Sequence, residues 1–390
     1  MKGALVCHPG TQHSTKLAEC LLEDGLLSAF YTGCRFGWAS RYLGTTANRV
    51  LPEKLRGQSR QLWLPEVAGK LLHKAGMGAE AMYLWRNGWF QRLVPAAAIR
   101  ASAAVVGFDS SAWLLARRSR ECGKPFLLDR TTIHRRARAR IRGKEPMLLD
   151  TGKTRSDRLT EEVEKEEMER ADRIVVASRF ARDSLVEGGV PAEKISVIPY
   201  GVDADRFTPG NSSGKARFLF VGNLTPAKGI HTLLAAWSQL KPHAAELWLV
   251  GPGDREIMEQ ARAMPGVVVF GKLGAERLRE VFRQASVFVF PTFFDGFGLV
   301  LLEALASGLP IITSPSCAGP ELVAEAGAGE IREAGNAAAW AEALSGVMEH
   351  PAQWASRRAA ARETAVRYSW EAYARRWAGL LRGLSAWGSN

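Results

Sequence analysis

PTFFDGFGLVLLEALASGLPII, residues 291–312, sets two carboxylates in company that does not suit them. Asp295 directly precedes Gly296-Phe297-Gly298, and Glu303 interrupts a continuous apolar run. Asp and Glu are rarely buried unless something pairs with them. The residues before this stretch, SVFVFP, read as a strand, and those after the second glycine, LVLLEALAS, as a helix. Gly-Phe-Gly is then a strand-to-helix turn, where free N–H groups and the helix dipole favour an anion. Asp295 stands at the mouth of that turn and Glu303 a little over one turn inside the helix. A carboxylate accepts hydrogen bonds from neighbouring hydroxyls. Two of them flanking an anion site suit a nucleotide diphosphate sugar, with ribose on one side and hexose on the other. The plainer alternative makes Asp295 a helix-end carboxylate and Glu303 part of a solvated face. The unbroken apolar sequence around Glu303 weighs against it.

Outward from this stretch, short apolar strands alternate with helical segments in two cycles. One runs from ALVC near the start to ISVIPYGVD, the other from RFLFVG to LPIIT. Such alternation predicts parallel sheets covered on both faces, an α/β class with two doubly wound domains. The expected boundaries are 1–200 for the first domain, 201–367 for the second, and 368–390 for a closing helical segment. Residues 35–100 are unusual, rich in Trp, Arg and Lys, and read as helices broken by Gly and Pro. There Met82, Trp85, Trp89 and Leu93 recur at helical spacing.

The chain has 390 residues, enough for substantial cores, and a formal charge of +12. The charge is lopsided: residues 1–158 hold 27 Lys and Arg against 12 Asp and Glu. That half expects an anionic surface or partner. Its Trp, Arg and Lys suit peripheral contact with an anionic membrane through residues 35–100, or else a core with a solvated basic face. The basic run HRRARARIRGK raises a nucleic-acid reading, but no recognised nucleic-acid-binding module accompanies it. The five cysteines, Cys7, Cys20, Cys34, Cys122 and Cys317, form no Cys-x-x-Cys pair, which speaks against a disulfide framework or a zinc site. MKGALVCHPG is too short for a signal peptide, and no apolar run reaches the length of a membrane span. A cytoplasmic protein is expected, with peripheral contact on the inner face of a membrane as the further option.

Two further turns carry ligand-binding content. In VGNLTPAKGI a strand ends at Gly222, and Lys228 stands at the mouth of the next helix, a combination suited to a diphosphate. In LVGPGDRE two glycines flank a proline and permit close backbone approach. Each alone reads equally well as a structural turn.

Residues 291–312 resemble the signature of glycosyltransferase family 4, retaining enzymes of the GT-B architecture. The matching pattern is Asp295, Gly296-Phe297-Gly298, Glu303-Ala304, Ala306, Gly308 and Pro310. VIPYGVD resembles the family's interdomain link, VGNLTPAKG its phosphate turn, and YSWEAYARRWAGLL its final helix, which returns to the first domain. The resemblance implies that Asp295 contacts the donor sugar and Glu303 holds the nucleotide ribose. It implies that Phe297, Gly298 and Leu299 present amides to the diphosphate and sugar, that Lys228 neutralises the leaving diphosphate, and that Gly222 and Asn223 line the same turn. It implies a sugar-contacting histidine near a first-domain strand end, best matched by His134, a glycine turn around Gly10 facing the phosphates, and Lys272 and Leu273 in the base-reading loop. It implies a nucleotide-diphosphate sugar as donor, a glycan or lipid-linked acceptor in surface polysaccharide or glycoconjugate synthesis, and no metal. The Asp-x-Asp at Asp203 and Asp205 lies in the link and is not expected to hold one. A non-catalytic sugar-nucleotide-binding member and a basic polyanion-binding protein stand as alternatives. Two positions depart from the pattern. Asp295 stands where Glu is usual, and Asn223 where Arg is usual, leaving one donor cation to be supplied by Arg179 or Arg130.

Overall fold

The computed structural model describes residues 3–10, 12–33, 50–145, 148, 155–210, 215–240, 245–324 and 327–385. Cys34 and the portion of the Trp-rich region at 35–49 lie outside them.

Two parallel sheets organise the chain. The first contains β1 (Ala4–His8), β2 (Leu27–Thr32), β3 (Ser59–Gln61), β4 (Ala104–Phe108), β5 (Phe126–Asp129), β6 (Arg173–Val176) and β7 (Ile195–Val197). Their order across the sheet is β3-β2-β1-β4-β5-β6-β7. The second contains β8 (Ala216–Val221), β9 (Ala245–Val250), β10 (Val267–Gly271), β11 (Val287–Phe290), β12 (Ile311–Thr313) and β13 (Gly329–Ile331). Its order is β10-β9-β8-β11-β12-β13. The central strands are buried along their whole length, as β1, β4 and β11 illustrate, which explains why they read as apolar runs rather than as alternating patterns. In each sheet the order reverses once, between β1 and β4 and between β8 and β11. Such a reversal opens a crevice at the carboxyl ends of the strands, where ligands bind in doubly wound folds.

Glycines allow the second sheet's turns to close. Gly229 has φ of 72°, and a Cβ there would lie 1.9 Å from the Pro291 carbonyl oxygen. This seats the turn after β8 against the turn after β11. Phe293 N–H donates to the Ala227 carbonyl at 3.0 Å and locks the same pair.

The closing helix, Trp370–Ser385, returns to the first domain and packs on helix Ser14–Glu23. Trp377 is fully buried and Tyr373 nearly so. Lys16 Nζ sits 5.5 Å from the Trp370 ring centroid. The chain therefore crosses between the domains twice, and the crossings are joined where Val202 N–H donates to the Tyr368 carbonyl at 2.8 Å.

The region 50–101 is mixed rather than purely helical. It holds a short 3-10 turn, Glu53–Leu55, the edge strand β3, and helices Leu64–Lys74, Ala79–Leu93 and Ala96–Ala101. In helix Ala79–Leu93 the core contacts come from Met82 and Phe90, whereas Trp85 is 40% exposed. The apolar stripe read from spacing is therefore split between core and surface.

Candidate active site

The carboxyl ends of β8 and β11 bring together most of the residues singled out in the sequence. Lys228 ends a short 3-10 turn after β8, and its Nζ pairs with Asp295 Oδ2 at 2.5 Å. Both side chains are about one quarter exposed. Asp295 Oδ1 accepts from Phe297 N–H at 3.0 Å, so this carboxylate shapes the Gly-Phe-Gly turn as well as holding the lysine. Gly298, with φ of 87°, caps helix Leu299–Ala306 and leaves its first amides open. Leu299 is exposed at that helix start.

Glu303 sits inside this helix, and among the described residues its carboxylate has no hydrogen-bond or ion-pair partner. Burial pushes its pKa up to about 7. The side chain is half-buried, so a carboxyl with no protein partner there is open to a ligand's hydroxyls. The remaining donor-side positions follow. Gly222 lies beside Gly251, where a Cβ would meet the Gly222 carbonyl oxygen at 1.9 Å, so the turns after β8 and β9 are backbone to backbone. Asn223 and Lys272 are exposed, and Leu273 is half-buried after β10. All these residues lie at the same end of one sheet.

Gly296 reaches the other domain. Ser178 Oγ donates to its carbonyl at 2.7 Å, and a Cβ on it would come within 1.9 Å of the Thr131 carbonyl oxygen. The turn that carries Asp295 thus touches the strand ends of the first sheet. There the structure gathers residues that sequence reasoning missed. Asp109, after β4, accepts from the Thr131 hydroxyl at 3.0 Å. Its carboxyl is held above the usual range by burial, against which Arg130 acts. His13 Nε2 lies 2.7 Å from Asp129 Oδ2. Tyr200, in the interdomain link, packs between His13, tilted at 4.4 Å, and Phe297, edge to face at 5.2 Å. Its hydroxyl is buried without a hydrogen-bond partner, and its pKa is raised by burial first, then by Asp129, Asp109 and Asp295. Carboxylates from both domains therefore surround one aromatic pin. No local pattern foretold this, because the contacts of His13, Tyr200 and Gly296 join residues about a hundred or more positions apart, and even Asp109 and Thr131 are 22 apart.

His134 is not brought to this group. It caps helix Arg135–Lys144, its Nδ1 accepting from Arg136 N–H at 3.2 Å, and its ring lies against Gly188, all within the first domain. Burial, with Arg130, Arg135 and Arg136 nearby, drives its pKa down to about 4. The expectation that it faces the sugar is corrected: cap geometry and a glycine-sized space hold it beside helix Arg179–Glu187. Gly10 does follow β1 and is pressed on the His8 ring. The two candidate replacement cations are engaged elsewhere. Arg130 is fully buried on Glu164 at 3.0 Å, and Arg179 meets Glu321 across the domains. Arg179 lines an interdomain cavity of about 820 Å³ with Arg182, Tyr368 and Arg376, which does not include Lys228. Asp203 lies in the link and pairs with Arg206. Among the described residues, no group of three or more His, Cys, Asp or Glu is arranged to hold a metal.

Two family models match adjoining parts of the chain. Residues 72–206 match "Glycosyltransferase Family 4", and residues 215–350 match "Glycosyl transferases group 1". The chain belongs to the family 4, group 1 glycosyltransferases. Its second half carries the turns of Lys228 and Asp295 described above, and its first half the opposing strand ends. Over 232 residues the glycosyltransferase is 29% identical to D-inositol 3-phosphate glycosyltransferase of Mycobacteroides abscessus, covering 54% of this chain and 52% of that protein. It spans about half the length of the curated relatives it matches. Sucrose-phosphate synthase from Thermosynechococcus elongatus superposes with a TM-score of 0.74 at 20% identity, over 99% of this chain and 100% of that one. HepE from Anabaena, solved in complex with UDP, superposes with a TM-score of 0.70 at 14% identity, over 98% and 100%. At such identity these structures establish the shared GT-B fold, two facing Rossmann-like domains with a returning C-terminal helix.

Proposed function

We propose that this glycosyltransferase moves a hexosyl unit, with retention at the anomeric carbon, from a nucleotide-diphosphate sugar to a glycan or lipid-linked acceptor of surface polysaccharide or glycoconjugate synthesis. The observation that carries the donor is Glu303: a half-buried carboxyl without a protein partner among the described residues, one helical turn from an amide-rich helix start and at the same end of the sheet as Lys228. Ribose hydroxyls satisfy that carboxylate, and the diphosphate occupies the Gly298 helix start. The solved HepE complexes with UDP and UDP-glucose support a uridine nucleotide as the first donor to test.

In the reaction so read, the bond from the anomeric carbon to the diphosphate oxygen breaks and a bond to the acceptor oxygen forms on the same face. The acceptor proton passes to an oxygen of the departing diphosphate. Lys228 and the Gly298 amides stabilise the charge that develops there, without a call on metal. Lys228 must first leave Asp295, which is then free to meet sugar hydroxyls. Asp295 and the strand ends across the cleft hold the sugar in place, so the protein contributes chiefly orientation and exclusion of water. The protein works on the cytoplasmic side, in peripheral contact with an anionic membrane through its basic first domain. No helix among the described residues is long and apolar enough to cross one.

A second reading, a member that binds sugar nucleotides without turnover, is favoured by one observation. Both Asp295 oxygens are already used, by Lys228 and by the Phe297 amide. Proton NMR of UDP-glucose with the enzyme and a panel of acceptors separates the two. Loss of donor with an α-linked product supports transfer. A donor that binds but stays intact with every acceptor supports the second reading.

A further inference from the structure

Helix Ala79–Leu93 carries a groove that the donor site does not explain. It has a volume of about 490 Å³ and is lined by Leu84, Trp85, Gly88, Trp89, Arg92 and Trp113. The Trp85 and Trp89 rings meet at 5.3 Å. Gly88 forms part of its floor. It lies in a helix interior with ordinary helical backbone, where glycine costs about 1 kcal/mol relative to alanine. A Cβ there would sit 3.3 Å from both Arg92 Nη1 and Trp113 Cζ2, so the missing side chain keeps the groove open. The guanidinium of Arg92 is exposed and, among the described residues, has no acidic or carbonyl partner; no acidic side chain lines the groove.

The groove is tied to the lip of the interdomain cleft. Asn87 Nδ2 donates to the Ser110 carbonyl at 2.7 Å, and Gln91 Oε1 accepts from Leu114 N–H at 2.7 Å. Ser110 follows Asp109 and is held at φ of 60°, an uncommon backbone for serine, with its N–H on Glu167 at 2.8 Å. The helix is therefore fixed to the carboxyl end of β4, beside the carboxylate that faces the second domain.

We propose that this groove seats the hydrocarbon chain of a lipid-linked acceptor whose phosphate or diphosphate pairs with Arg92. The proposal rests on the transferase reading and names its acceptor class. A bare saccharide is disfavoured, because it would leave the exposed Arg92 guanidinium at the groove without an anion. A chain ending in phosphate satisfies both the apolar walls and the unpaired guanidinium. Of the twelve large hydrophobic residues exposed among those described, six lie between Trp63 and Leu93, and one of these, Trp85, is a wall of the groove itself.

The test uses the full chain and monomeric dodecyl phosphate below its micelle concentration, read by tryptophan emission. A saturable change in wild type, at least tenfold weaker in Gly88→Leu and in Arg92→Ala, is the expected result. Arg92→Ala alters an exposed side chain and keeps the test open should Gly88→Leu fail to fold. Inorganic phosphate alone should give no change, and dodecyl maltoside a weaker one than dodecyl phosphate. The proposal is overturned if wild type does not respond, or if both variants respond like wild type. It also falls if phosphatidylglycerol vesicles bind wild type and Gly88→Leu equally while the monomer does not bind, since the face then docks on a bilayer surface. Stabilisation of wild type by UDP is measured separately, so failure of the groove and failure of the donor reading are distinguishable.

Discussion

Glu303 titrates near neutrality because burial disfavours its charged form and no cation stands beside it. Its folded pKa is raised above the ordinary 4.5, so the free protein loses this group's contribution to stability as pH rises from 4.5 towards 7. Ribose hydroxyls donate to the ionised form, so nucleotide binding expels the proton. The nucleotide Kd should therefore fall as pH rises, by up to about tenfold per unit below about 7, and level off above it. Titration calorimetry across that window checks this, and Glu303→Gln should bind more weakly with a flat profile. Lys228→Ala should lower kcat/KM on the order of 10²-fold, measured by nucleotide release, because it removes a charge aimed at the leaving group. Tyr200→Phe should leave the melting temperature unchanged or raise it, because it deletes a buried hydroxyl that has no partner. At this scale Asp295 and Glu303 were legible, since a carboxylate inside an apolar run is a local anomaly. His134 was misplaced, because a histidine next to a strand end can turn either to the cleft or to its own helix start. The sequence carries no sign of which.

The turns are where elements become a site. Gly229 holds a left-handed backbone against the Pro291 carbonyl, so Gly229→Ala should cost at least about 1 kcal/mol from the backbone alone and more from the clash. Chemical denaturation measures the loss. Nucleotide stabilisation should also weaken, because the turns bearing Lys228 and Asp295 would separate. The long apolar strands and amphipathic helices were legible from periodicity. Strands β3, Ser-Arg-Gln, and β13, Gly-Glu-Ile, were not, because they are short and carry little apolar signal, whereas the equally short β7 and β12 are apolar. Helix Ala79–Leu93 was recognised as a helix, but which of its faces turns inward stayed open. A helix that carries tryptophans on a core stripe and on an exposed groove has no clean apolar face to read.

Across the whole molecule, the turn after β11 meets the turn after β5, where Gly296 approaches Thr131. The returning helix binds the assembly together. Trp377→Ala should destabilise the protein by about 3–5 kcal/mol, seen as an earlier denaturation midpoint. The doubly wound architecture was legible because two strand–helix cycles repeat along the chain. The pairing of Tyr200 with Phe297 and His13 was not, since it depends on how the domains close on each other. The activity of this chain turns on whether Glu303 and its neighbours hold a nucleotide. The measurement that tests this most directly is a thermal-shift panel of UDP, GDP, ADP, CMP and their sugars on wild type and Glu303→Ala. A ligand that binds only the folded state raises the melting temperature by mass action. One nucleotide family should stabilise wild type, and the response should disappear in the variant. No shift of wild type at millimolar nucleotide, or an equal shift in both proteins, would contradict the account.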